Sequence, residues 1–191
     1  VMNTDCVVYK IDADNRIVSL SETWSSFAMG NDGQQLADPG GLIGRLLLDF
    51  ISDMQCRELY RMIIERVRAE RKTVTFPFRC DSPAVRRYMS MRISLSSDGL
   101  VEFCSRVVNT EARSPMALLD GKTDRSDEFQ AVCSWCKKVR VTEREWLEVE
   151  AAVERLGMFD ETTLPRLTHG MCPSCLEVAR GKIQALGASR N

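Results

Sequence analysis

Two closely spaced cysteine pairs constrain this chain more than any other feature. Cys133-Ser-Trp-Cys136 and Cys172-Pro-Ser-Cys175 stand 35 residues apart. Brought to one point, they supply four thiolates, the ligand set of a closed tetrahedral site, and zinc is the expected metal, iron being the alternative. A lone Cys-x-x-Cys has many uses; two at this separation point to a structural ion. With four protein ligands no coordination position is left for a substrate, so the ion is expected to hold structure together and not to do chemistry.

Other features exclude several classes. A formal net charge of -1 provides no global field toward nucleic acid or membrane. No apolar run approaches the roughly 20 residues that span a bilayer. Asp5, Lys10, Asp12 and Asp14 interrupt the first apolar residues, against a signal peptide. The expected location is the cytoplasm, where eight cysteines point to metal or redox use more than to a disulfide framework. Cys6, Cys80 and Cys104 are expected as buried, inert thiols.

Polar residues with Pro115 and Gly121 mark a linker over about 111–128, with Met116–Leu119 as its one packing segment. The expected organisation is a domain over 1–110 and a cysteine module over 129–191. On that division, a chelator should unfold the module alone.

The first half alternates strand and helix signals. Cys6–Ile11 and Arg16–Leu20 flank a turn at Asp12-Ala-Asp-Asn15, which reads as a hairpin. Ser21 can cap a short helix carrying Trp24, Phe27 and Ala28 on one face. Asp53 or Ser52 can cap a longer helix to about Glu70, with Leu59, Met62, Ile63 and Val67 as its apolar stripe. Strands are expected at Thr73–Arg79, Arg87–Leu95 and Leu100–Val108, the last two joined at Asp98-Gly99. The fold class is α+β: a five-stranded antiparallel sheet with helices on one face.

Asp12–Leu20, Trp24-Ser-Ser-Phe-Ala28, Asn31-Asp-Gly33, Gly44, Phe78–Pro83 and Arg87–Met91 resemble the PAS sensory domain of bacterial signalling proteins. The resemblance implies a cavity between sheet and helices, with Trp24, Phe27, Phe50, Phe78, Met89 and Met91 as candidate lining and Phe76 as lining or core. Haem in such domains usually relies on a histidine, and the only histidine is His169, in the other half. Flavin photochemistry uses an Asn-Cys-Arg-Phe-Leu-type segment; Gln55-Cys56-Arg57-Glu58-Leu59 lacks the Asn and Phe. Neither cofactor is expected. Arg79, Arg86 and Arg87 around Asp81 read as an anion-binding cluster or as a turn in which Asp81 pairs an arginine.

In the second half, Ala131–Val141 reads as strand, turn and strand, with Cys133 and Cys136 on the turn. Thr142-Glu-Arg-Glu145 reads as a capping box for a helix from about Glu143 to Leu156, ended by Gly157. Phe159–Leu167 reads as a loop or short hairpin. Pro173 suits the first position of a helix, so Cys172 and Cys175 would lie where the helix dipole favours thiolates. One pair on a hairpin and one at a helix start is a treble-clef-like arrangement. His169 is expected outside the ligand set, as a neighbour to the sulfurs or a structural group. Cys133–Arg140, Trp146 and Thr168-His-Gly-Met-Cys-Pro-Ser-Cys175 are similar to a cysteine-rich tail found after PAS or receiver domains in bacterial signalling proteins, with Val139 and Thr168 as departures.

The reading is a non-catalytic signalling protein that works through a protein partner or a homodimer. A thiol redox switch is the first alternative, although no βαβ context surrounds either pair. Nucleic-acid binding through Lys137, Lys138 and Arg140 is the second, against nine basic and eight acidic residues over 129–191. With one histidine and no nucleophile-elbow or phosphate-loop motif, no catalytic residue is assigned. Glu143, Glu145, Glu148 and Glu150 are expected on a solvated helix face.

Overall fold

Asp12 builds the first turn. Its carboxylate accepts the N–H groups of Asp14 and Arg16 at 3.0 and 2.9 Å, and Asn15 adopts a left-handed φ of 63°. This joins β1 (Val7–Ile11) to β2 (Ile17–Leu20) in the computed structural model, which describes residues 6–31, 33–161 and 163–187. Helix α1 spans Thr23–Met29, and Ser21 does not cap it: the Ser21 hydroxyl accepts the Val8 N–H at 3.0 Å instead, locking the chain as it leaves β2. The apolar stretch after Gly44 forms only a 3-10 turn, Leu47–Phe50.

Asp53 does cap α2 (Met54–Glu70), accepting the Cys56 N–H at 2.7 Å. Cys56, Leu59, Ile63, Ile64 and Val67 are its buried stripe. Met62 is exposed; Ile64 takes the place expected for it, because the face toward the sheet is broader than a single i, i+4 row. Strands β3 (Val74–Arg79), β4 (Val85–Leu95) and β5 (Val101–Ala112) follow. The sheet is antiparallel in the order β2-β1-β5-β4-β3. Its inner face, with Ile11, Phe76, Met91, Ile93, Val101 and Phe103, packs on α2. On the other face Cys6 and Cys104, expected as buried thiols, are half-buried and disulfide-bonded between β1 and β5. Cys80 is also half-buried.

Regular structure reaches into both ends of the expected linker, since β5 runs to Ala112 and β6 (Arg125–Cys133) begins at Arg125. Between them, buried Met116 and Leu118 anchor the chain, and the Arg125 guanidinium donates to the carbonyls of Leu118, Asp120 and Pro165. Then come β7 (Val139–Arg140), β8 (Trp146–Leu147), α3 (Val149–Arg155), β9 (Leu164–Gly170) and α4 (Pro173–Gly187). The second sheet has the order β8-β7-β6-β9, with β6 and β9 parallel.

Two local expectations are overturned here. Thr142 does not open a helix: its hydroxyl accepts the Arg144 and Glu145 N–H groups within a tight turn, and Trp146 and Leu147 pair with β7 as a strand. An aromatic and an aliphatic on a half-buried ladder outweigh the capping signal. Helix α3 starts only at Val149. The stretch Phe159–Leu167, expected as a loop or short hairpin, instead enters β9 at Leu164 and pairs parallel to β6.

One apolar core crosses from the first half to the second, taking in Cys133, Trp135, Met171, Cys172, Ala179, Ile183 and Leu186 alongside the α2 and sheet residues. A smaller core of Leu118, Val132, Val139, Val149, Ala152 and Leu164 lies within the second half.

Candidate functional site

The parallel pairing of β6 with β9 brings the two cysteine pairs together. Its register sets Cys133 opposite Gly170, and the Ser134 N–H continues the ladder to the Gly170 carbonyl at 2.8 Å. Cys172 therefore emerges two residues later beside the β6–β7 turn. In that turn the Cys133 N–H donates to the Lys138 carbonyl at 2.8 Å, the Lys137 N–H donates to the Cys133 carbonyl at 3.0 Å, and Lys137 takes a φ of 61°. This coil points both turn sulfurs the same way. Cys172 directly precedes α4 and Cys175 lies in its first turn.

The four sulfurs lie within 4.8 Å of one another, with Cys136 and Cys172 Sγ 3.6 Å apart. A tetrahedral site with Zn–S bonds of about 2.3 Å has sulfur–sulfur edges of roughly 3.8 Å. The cluster fits such an ion with slight contraction. Cys133 and Cys172 are buried, Cys136 and Cys175 half-buried. The Cys172 N–H donates to Cys133 Sγ at 3.4 Å, as expected of a sulfur that carries charge.

Among the thiols, Cys133 is held well below the ordinary range by hydrogen bonds from Cys136 and Cys175, with backbone amides of Cys136 and Cys172 adding to them and burial opposing. The same bonds push Cys136 up to about 12 and raise Cys175. These contacts favour a negative sulfur at Cys133, and a bound cation would favour loss of the remaining thiol protons. Four cysteines this close could bind a metal such as zinc. His169 is outside the sulfur cluster, and burial together with Lys137 lowers its pKa against the pull of Asp53.

Most of the expected cavity residues meet. Trp24, Phe27, Phe78, Met89 and Met91 line one cavity of about 290 Å³ between α1 and the sheet, together with Tyr9 and Asn31. Phe50 lies elsewhere, in a second cleft of about 280 Å³ that also takes Tyr60, Trp135 and His169. Phe76 is core, stacked on Trp135 at 4.4 Å between ring centroids. The first cavity is apolar apart from a few groups: the Trp24 indole donates to the Leu36 carbonyl at 2.7 Å, and Asn31 Nδ2 donates to the Phe27 carbonyl at 2.6 Å.

A sensory box sensor histidine kinase from Vibrio cholerae is similar in structure, with a TM-score of 0.38 and 16% identity, over 55% of this chain and 82% of its own. No protein-family model and no curated protein matches the chain.

The arginine cluster resolves toward pairing. Arg79 and Arg113 both bind Asp81, Arg79 also reaches Glu148 at 2.6 Å, and Arg113 and Arg86 reach Glu150 at 3.4 and 2.8 Å. Arg87 donates to the Cys80 carbonyl. Burial works against charge on Arg79, but Asp81 and Glu148 outweigh it and its pKa is raised. Glu148 and Glu150, expected on a solvated face, therefore tie α3 to the first half. The role of Trp135 went unread because it occupies a variable position of Cys-x-x-Cys; a large aromatic on a tight turn was the available signal.

Proposed function

We propose that this is a non-catalytic bacterial signalling protein. A PAS-like domain senses a small ligand or mediates dimerisation, and a structural zinc module, treble-clef-like in plan, presents a docking surface to a protein partner. The closed set of four sulfurs carries the metal part of this reading, because it leaves no open coordination position. The resemblance to PAS domains and their cysteine-rich tails supports the signalling part, as does the apolar cavity lined by Trp24, Phe27, Phe78, Met89 and Met91. Cys133, Cys136, Cys172 and Cys175 are the metal ligands in this reading, with His169 beyond them. Among the described residues no helix is long and apolar enough to cross a membrane; the cytoplasm is proposed from the sequence, and the Cys6–Cys104 disulfide is the observation that weighs against it.

Native mass spectrometry of protein purified without added metal tests the reading. The expected result is one zinc per chain, lost on Cys172→Ser substitution, with a homodimer or a bound small molecule in the same spectrum. Metal-free protein whose thiols cycle reversibly with a dithiol reductant would replace it with the redox switch.

A further inference from the structure

The second cleft is built jointly by the two halves. Phe50, Asp53 and Tyr60 come from the first, and Ser134, Trp135 and His169 from the second. Its walls are aromatic, which suits a flat π-system. Its polar groups are of specific kinds. The Asp53 carboxylate spends one oxygen on the Cys56 N–H and retains further lone pairs for donors. Ser134 and Tyr60 offer hydroxyls that donate or accept. Trp135 is 4% exposed, and its buried Nε1–H makes no full hydrogen bond among the described residues, the Tyr60 hydroxyl being the acceptor that faces it. A buried unpaired donor is disfavoured unless an acceptor reaches it. Among the described residues that line the cleft none is Lys or Arg, which argues against a phosphate or carboxylate ligand. The volume of about 280 Å³ is just below the roughly 300–1,000 Å³ usual for ligand pockets, which limits the occupant to a small molecule.

We propose that this cleft is a binding site for a small, uncharged, planar heteroaromatic of bicyclic size that carries both N–H donors and ring acceptors. Such a molecule stacks among Phe50, Tyr60 and Trp135, donates to Asp53, and accepts from Ser134 or, after a small shift of the indole, from Trp135. The cleft adjoins the cavity under α1, sharing Tyr9 and Phe78 with it, and is complete only when the cysteine hairpin is docked, so its occupant favours the docked arrangement. The proposal does not depend on the identity of the metal.

Titration of the whole 191-residue, metal-loaded chain with adenine and with indazole, both neutral at pH 7, tests it, read by calorimetry and by the indole N–H resonances in ¹H–¹⁵N spectra; 1-naphthoate serves as the flat anion. Both N–H-bearing bicycles should bind and shift the Trp135 indole resonance, and 1-naphthoate should not. Asp53→Asn keeps a good helix cap while removing the charge, and it should weaken binding at least about tenfold, the scale of a lost charged hydrogen bond. Ser134→Ala should weaken it less. Ala28→Met, which fills the other cavity, should leave affinity within about twofold. No indole shift with either bicycle at millimolar concentration overturns the proposal. So does tighter binding of naphthoate, or an affinity that follows Ala28→Met and ignores Asp53→Asn, which would place the molecule under α1.

Discussion

The two halves bury their residues by different means. The first half closes a five-stranded sheet over a 17-residue helix, with Ile11, Ile63, Phe76, Ile93 and Phe103 almost wholly buried. The second half has a smaller core of its own, its 15-residue α4 sends Ala179, Ile183 and Leu186 into the core of the first half, and four sulfurs meet at the start of that helix. Small domains bury too little apolar surface to be stable alone, and a metal site or borrowed contacts offset this. Here four thiols that could hold a metal and contacts borrowed from the first half occur together. Trp135, between the two turn cysteines, lies flat on Phe76 of β3, and Ala179, Ile183 and Leu186 of α4 join the core around α2. The lesson is that the cysteine turn fastens the two halves together as well as carrying two of the four thiols that could bind a metal. Chelation is therefore expected to lower the stability of the whole chain, in place of unfolding the second half alone.

The largest test of that comparison is Trp135→Ala. It removes the stacked partner of Phe76 and is expected to cost about 3–5 kcal/mol, the usual range for a buried large aromatic. Chemical denaturation should show the loss in a single transition. Two separate transitions, with the first half unchanged, would break the picture of a shared core. Trp135→Phe sharpens it: the stack stays, the unpaired N–H disappears, and stability should change by less than about 1 kcal/mol in either direction.

The ionic seam is next. Arg79→Ala leaves Glu148 without its 2.6 Å partner, while Asp81 keeps Arg113. A loss of about 1–3 kcal/mol is expected, as for a hydrogen bond to a charged group. Glu148→Gln, on the more exposed side, should cost under about 1 kcal/mol. Equal losses from the two substitutions would show that the seam acts through Glu148 and not through Asp81.

The smallest effect lies wholly within the first half. Asp98, in the β4–β5 turn, is held down to about 2 by the Ser96 hydroxyl and then by Lys10. A carboxylate depressed in the folded state contributes stability above its unfolded pKa, near 3.8, and that contribution fades as pH falls toward about 2. NMR titration should find Asp98 ionised at pH 3, and Lys10→Met should raise its pKa. An unshifted Asp98 would remove this turn from the interactions that make the first half self-sufficient.

Much of the first half was legible because its signals are local. Asp12 and Asn15 make their own turn, Asp53 caps its own helix, and Gly99, at a φ of 82°, turns the β4–β5 hairpin where Asp98-Gly99 predicted it. The expected strands differ from those observed by a few residues at their ends. In the second half the turn at Cys133–Cys136 and the helix start at Pro173 were equally local. What failed there was Thr142-Glu-Arg-Glu145, a good local cap overridden by the pairing of Trp146 with Arg140.

The spacing of the cysteines by itself determined that four thiols could share one ion, and residue patterns determined an α+β chain, while the cavity was implied only by the PAS resemblance. Tertiary structure alone decided the rest. The parallel register of β6 and β9 joins segments about 40 residues apart, and no local pattern encodes which strand β6 will choose. The stack of Trp135 on Phe76, the ties of Glu148 and Glu150 to Arg79, Arg86 and Arg113, and the cleft shared by both halves depend on that choice. Thiol spacing is a property of the chain, whereas contacts between distant segments exist only once burial and pairing have selected one packing.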